Sequence, residues 1–71
     1  MPLAIVQAGR WVRIVTVNAG HRLQSRLAAM GLVPGVEIKV LRNSMNGPFL
    51  IEVKGSRIML GRRMSQKIIV M

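Results

Sequence analysis

The sequence predicts a mainly β fold: a small five-stranded SH3-like barrel with one α-helix inserted after the first long strand. Three observations predict it. Apolar and polar residues alternate with period 2 in short runs, as in Val36, Ile38, Val40 and again in Phe49, Ile51, Val53. One segment alone changes period, with Leu23, Leu27 and Met30 at i, i+4 and i+7. Short turns bearing Gly and Pro separate the runs, and small sheets so closely spaced avoid exposed edges by closing into a barrel. The 71 residues predict one domain, 1–71, near the lower size at which a single core sustains itself. A hydrophobic share of 51% is too high for a disordered chain.

The elements follow in order. Gly9 precedes the run Arg10 to Asn18, where Trp11, Val12, Ile14, Val15 and Val17 mix with Arg13 and Thr16. It reads as a largely buried strand, with Trp11 inside. Asn18-Ala19-Gly20 is a turn signal. His21 to Met30 holds no Pro and no β-branched residue, and Gly31 follows as a residue free to take positive φ. A helix of about three turns is predicted there, with its apolar stripe, Met30 included, in the core. Pro34-Gly35 suits a type II turn. Val36 to Val40 is the second strand, and Asn43 to Pro48 a loop. Phe49 to Val53 is the third strand, with Phe49 inside. Lys54-Gly55-Ser56 is a hairpin turn, and Arg57 to Leu60 the fourth strand. Gly61 to Gln66 has the composition of one helical turn, and Lys67 to Met71 of a last short strand. Leu23, Leu27, Met30, Ile38, Val40, Ile51, Val53 and Leu60 are the expected core.

Composition excludes several functions. There is no Cys, hence no disulfide, thiolate site or cysteine nucleophile. One His and two carboxylates, Glu37 and Glu52, do not furnish a triad, a carboxylate pair or a metal cage. No catalytic, cofactor or metal residue is therefore expected, and His21 reads as an exposed residue near the helix start. No apolar run reaches the roughly 18 residues needed to span a bilayer. The start, MPLAIVQAGR, does not read as a signal peptide, so a cytoplasmic, non-enzymatic protein is expected. The six methionines read as core filler, except Met45 in a polar loop.

The charge is the chief functional signal. Eleven Lys and Arg against two acidic residues give +9, which calls for an acidic partner: a protein face, nucleic acid or an anionic membrane surface. Arg22 and Arg26 share one face of the predicted helix, away from its apolar stripe, and the helix holds no Asp or Glu to neutralise them. With Met45, Arg62 and Arg63 they are the candidate partner-binding residues. The chain has few aromatics for stacking on bases, which argues against nucleic acid.

The runs RLAAMGLVPGVEIKVL and GPFLIEVKGSRIMLGRRMSQKIIV resemble the FeoA family. The carrying residues are Arg26, Leu27, Met30, Gly31, Leu32, Pro34 and Gly35, then Val53, Gly55, Arg57 and Leu60, with Pro2-Leu3, Gly9 and the ending Ile68-Ile69-Val70. The resemblance implies an SH3-like barrel and an accessory or regulatory role in bacterial ferrous iron uptake. It implies docking on the cytoplasmic GTPase region of the membrane permease FeoB, with peripheral contact at the inner membrane surface. The same domain type stands at the C-terminus of DtxR-like metalloregulators. Ala28 and Ala29, and later Arg63 and Gln66, stand where the family often has acidic residues. No metal ligand is therefore carried over, and the partner is expected to be unusually acidic. The alternative reading is a basic barrel that binds RNA or DNA.

Overall fold

A computed structural model describes residues 1–71. A 3-10 turn, Leu3–Ile5, precedes β1, Trp11–Val17. Then come α1, His21–Ala29; β2, Glu37–Asn43; β3, Phe49–Val53; and β4, Ser56–Leu60. The chain ends with α2, Arg62–Lys67, and β5, Ile68–Val70. All strand pairings are antiparallel, in the order β4-β3-β2-β1-β5. β4 and β5 do not pair with each other, so the sheet is not closed by strand pairing and the expectation that closure removes both edges is corrected; α2 links these two ends of the sheet. β5 is instead flanked by the N-terminus. Pro2 bridges Ile69, the Val70 N–H donates to Met1 O at 2.7 Å, and the Met1 ammonium donates to Val70 O at 2.9 Å.

The core holds fifteen buried hydrophobic residues, drawn mostly from alternate strand positions. Of the expected core, Leu27, Ile38, Val40, Ile51, Val53 and Leu60 are buried, as is Phe49. Leu23 is half-buried against them. Met30 is not in the core: it is 40% exposed. The cause is the helix ending. Met30 is the C-cap, with φ −91° and ψ 3°, so the 3.6 period stops before it. Gly31, at φ +87°, reverses the chain; its N–H donates to Ala28 O, and the Leu32 N–H donates to Leu27 O at 2.9 Å. This is a Schellman closure, and it puts Leu32 rather than Met30 beside Leu27 in the core.

Two other expectations are corrected. β1 is not largely buried and Trp11 is not inside. Val12 and Ile14 face inward, so period 2 turns Trp11, 57% exposed, to solvent with Arg13. A register shift between Ile14 and Thr16 then leaves both Val15 and Thr16 outside before Val17 returns to the core. The methionines are not core filler, since all but Met64 are exposed. Leucine, phenylalanine and β-branched residues fill the inward strand positions, and the only methionine in a strand, Met59, takes an outward one.

β2 also runs further than expected, through Asn43, with an irregularity between Val40 and Arg42. Its last residue anchors the N-terminal segment. The Asn43 side-chain amide donates to Ala4 O at 3.0 Å and to Val6 O at 2.7 Å. Leu3 and Val6 are thereby held in the core. The β3–β4 hairpin turns on Lys54 and Gly55 alone. Both have positive φ, 50° and 80°, the geometry of a type I′ turn.

Candidate docking site

α1 is a short helix fixed at three points. Leu27 and, more shallowly, Leu23 enter the core. Gln24 donates from its amide to Val17 O at 3.0 Å and Ala19 O at 2.9 Å, tying the first turn to the end of β1. The Schellman closure fixes the last turn. Its solvent side carries Arg22 and Arg26, both exposed. At 100° per residue they lie about 100° around the axis from the Leu23–Leu27 stripe. The sequence predicts this placement, and the structure has it. On a third side, His21, Gln24, Ser25 and Ala28 face Val17 and Leu32 across an open groove of about 260 Å³.

Both carboxylates lie elsewhere. On the outer face of the sheet, Trp11 opposes Lys39, Lys39 opposes Glu52 and Glu52 opposes Arg57 across successive strands. In the next row Arg13 opposes Glu37, with 3.9 Å between guanidinium and carboxylate. Lys39 also lies over the Trp11 ring, 5.8 Å from its centroid. The acidic residues thus stand among cations of the sheet, and the charge of α1 is uncompensated. Arg22 sits in a first turn that carries no acidic residue, where the positive end of the helix dipole adds to its potential, and Arg26 sits in the last turn, where the dipole favours a cation.

The other candidate residues form a second group. Met45, 91% exposed, is in the β2–β3 loop. Arg63 is exposed on α2. Arg62 is half-buried and engaged inside the molecule. Its guanidinium donates to Asn43 Oδ1 at 2.9 Å and to the Ser44 carbonyl, and lies 5.6 Å from the Phe49 ring centroid. One turn on, the buried Ser65 hydroxyl donates to Arg62 O at 2.8 Å. Sequence reasoning gave Arg62 the same role as Arg63, and missed Asn43 as the hub joining the N-terminal segment, β2 and α2.

No three His, Cys, Asp or Glu residues come together. His21 is exposed at the start of α1 beside the groove, whose other polar residues are Thr16, Gln24 and Ser25, with no carboxylate or thiolate among them. The donors present do not fit a resident metal. No helix is long and apolar enough to cross a membrane.

A short five-stranded antiparallel sheet, with one helix between its first two strands and a basic solvent face, defines a small SH3-like β domain. The FeoA domain family matches residues 1–71, and the chain belongs to it. It is 42% identical over 69 residues to a Methanocaldococcus jannaschii protein provisionally named Fe(2+) transport protein A, covering 97% of this chain and 83% of that one. It superposes with a TM-score of 0.92 on the crystal structure of an iron uptake regulatory protein, FeoA. That match has 33% identity and covers 99% of this chain and 93% of the other. The zinc complex of Stenotrophomonas maltophilia FeoA, described as a procaryotic SH3 domain protein, shares the fold. Its TM-score is 0.84 at 23% identity, over 99% of this chain and 88% of that one. The SH3-like reading and the family resemblance therefore hold.

Proposed function

We propose that this protein is a cytoplasmic, non-enzymatic accessory of ferrous iron uptake that docks on the cytoplasmic part of the FeoB permease through the solvent face of α1. The observation that carries the reading is the segregation of charge. Glu37 and Glu52 stand among cations on the sheet, while Arg22 and Arg26 are exposed and unpaired. An acidic partner face would pair with the latter and leave the former undisturbed. A chain of +9 also meets such a face, and the anionic inner leaflet beside it, faster than a neutral one. Met45 and Arg63 offer a second, separate contact from the β2–β3 loop and α2.

The test is the double reversal Arg22→Glu with Arg26→Glu. Each reversal lowers the net charge by two, from +9 to +5. Binding to the isolated cytoplasmic region of FeoB, measured by calorimetry at fixed ionic strength, is expected to weaken by at least about tenfold. Lys54→Glu, in the remote hairpin turn, is the control for bulk charge. Equal loss per unit of charge in both variants would remove α1 as the docking face.

One observation favours a second reading. Trp11 is exposed beside Lys39, where a base would stack, so a basic barrel that binds single-stranded nucleic acid gains the aromatic it otherwise lacks. Quenching of Trp11 fluorescence by an oligonucleotide, with affinity falling steeply as salt rises, would favour this reading over the first.

A further inference from the structure

The two edges of the sheet are treated differently. The outer edge of β5 is occupied by Met1 and Pro2. The outer edge of β4 bonds to nothing: every backbone hydrogen bond of Ser56–Leu60 is made within the sheet to β3. The two-residue hairpin fixes which groups are left over. Val53 and Ser56 flank the turn as a bonded pair, so bonded pairs recur at Ile51–Ile58 and Phe49–Leu60. The N–H and C=O of Arg57 and Met59 must then point away from β3. Their side chains are exposed on the outer face, and Ile58 between them is half-buried toward the core. No proline, bulge or lysine blunts this edge.

We propose that the free edge of β4 accepts an acidic, extended protein segment as a sixth, antiparallel strand. The sheet itself specifies the residues of that strand. Across the outer face one row runs Lys39, Glu52, Arg57, alternating in sign, so the next position calls for a carboxylate. The neighbouring row ends Leu50, Met59, and calls for an apolar side chain. The inner row runs Val40, Ile51, Ile58, and calls for another apolar residue, opposite Ile58. Read from the N-terminus of the incoming strand, opposite Met59, Ile58 and Arg57 in turn, the sequence is apolar, apolar, acidic. A second copy of this chain is the poorer occupant, because two bodies of +9 repel and β4 carries no acidic residue to meet Arg57. The proposal does not rest on the α1 reading. It concerns a different surface and would stand if α1 binds nothing.

The experiment uses the full-length protein, labelled with nitrogen-15, and the acetylated, amidated peptide Thr-Val-Leu-Val-Glu-Thr. Saturable amide shifts, with slowed hydrogen exchange at Arg57 and Met59, are expected. The same peptide with Lys for Glu should bind at least about tenfold more weakly. Met59→Pro removes an edge donor that β3 does not use, so it should abolish binding while the β3–β4 cross-peaks persist. Should that variant unfold, Arg57→Glu serves instead, and is expected to reverse the preference between the two peptides. Shifts absent from β4, shifts confined to α1, or equal binding of the two peptides would overturn the proposal. So would concentration-dependent shifts at Arg57 and Met59 without peptide, which would make a second copy the occupant.

Discussion

The two helices are held in opposite ways, and the difference decides what their arginines can do. α1 is attached through its apolar stripe, with Leu27 buried beside Leu32. Its arginines are left to solvent. α2 is only six residues long and is attached in large part through polar groups: Arg62 to Asn43, Ser44 and Phe49, and the buried Ser65 to the carbonyl of Arg62. A helix of that length is too short to hold itself, so its fastening must come from tertiary contacts. The same residue type is therefore a free cation on one helix and a structural bolt on the other.

The largest effect that would break this comparison lies under α1. Leu27→Ala removes a fully buried side chain and leaves a cavity between the helix and the core, so a loss of about 2–5 kcal/mol is expected in urea unfolding. Met30→Ala, three residues on, should cost well under about 1 kcal/mol, because its side chain is already largely in water. Equal losses would mean that the helix stripe runs through Met30 after all.

Next in size is the α2 fastening. Asn43→Ala deprives the Ala4 and Val6 carbonyls of a donor and Arg62 of an acceptor, and is expected to cost about 2–3 kcal/mol. Arg62→Ala should cost about 1–2 kcal/mol through the same network. The double variant should fall short of the sum by about 0.5–1 kcal/mol, since the two share one hydrogen bond. Strict additivity in a thermal or denaturant cycle would detach Arg62 from Asn43 and return it to the docking residues.

Much of the fold was legible because it is written locally. The alternation in β2 and β3, the helix stripe, the glycine after α1 and the hairpin near Gly55 each carry their own signal within a few residues, although Ser56 belongs to β4 and not to the turn. Trp11 was misplaced although its parity was readable. It shares a face with Arg13, two residues on, and a charged neighbour at that spacing places an aromatic outside unless a partner covers both. Met30 was misplaced because the period was extended one residue beyond the point where Gly31 ends it. The N-terminal turn and the Asn43–Arg62 network were not legible at all. Asn43 reaches Ala4 and Val6 from 39 and 37 residues away, and nothing local distinguishes it from an ordinary loop asparagine. For the candidate site, the exposed face of α1 was readable from helical spacing, whereas the separation of Arg62 from Arg63 depended on contacts between distant segments.

The smallest expected effect sharpens the comparison most. Arg22→Ala and Arg26→Ala, each on an exposed face with no ion pair and no side-chain hydrogen bond, should change stability by no more than about 0.5 kcal/mol. The sign should even be slightly favourable for Arg22. It lies in the first turn, where the helix dipole opposes a cation, and no acidic residue offsets it. Arg26 lies in the last turn, where the dipole favours a cation, so its removal should be neutral or slightly unfavourable. For a chain of this size 1 kcal/mol moves the midpoint by about 4–8 °C, so the difference between the two variants should be a degree or two in a melting curve at low salt. Added salt should erase it, because screening removes exposed charge–dipole interactions first. A loss from either variant as large as that from Arg62→Ala would show that α1, too, uses its arginines to hold itself down, and that they are not free for a partner.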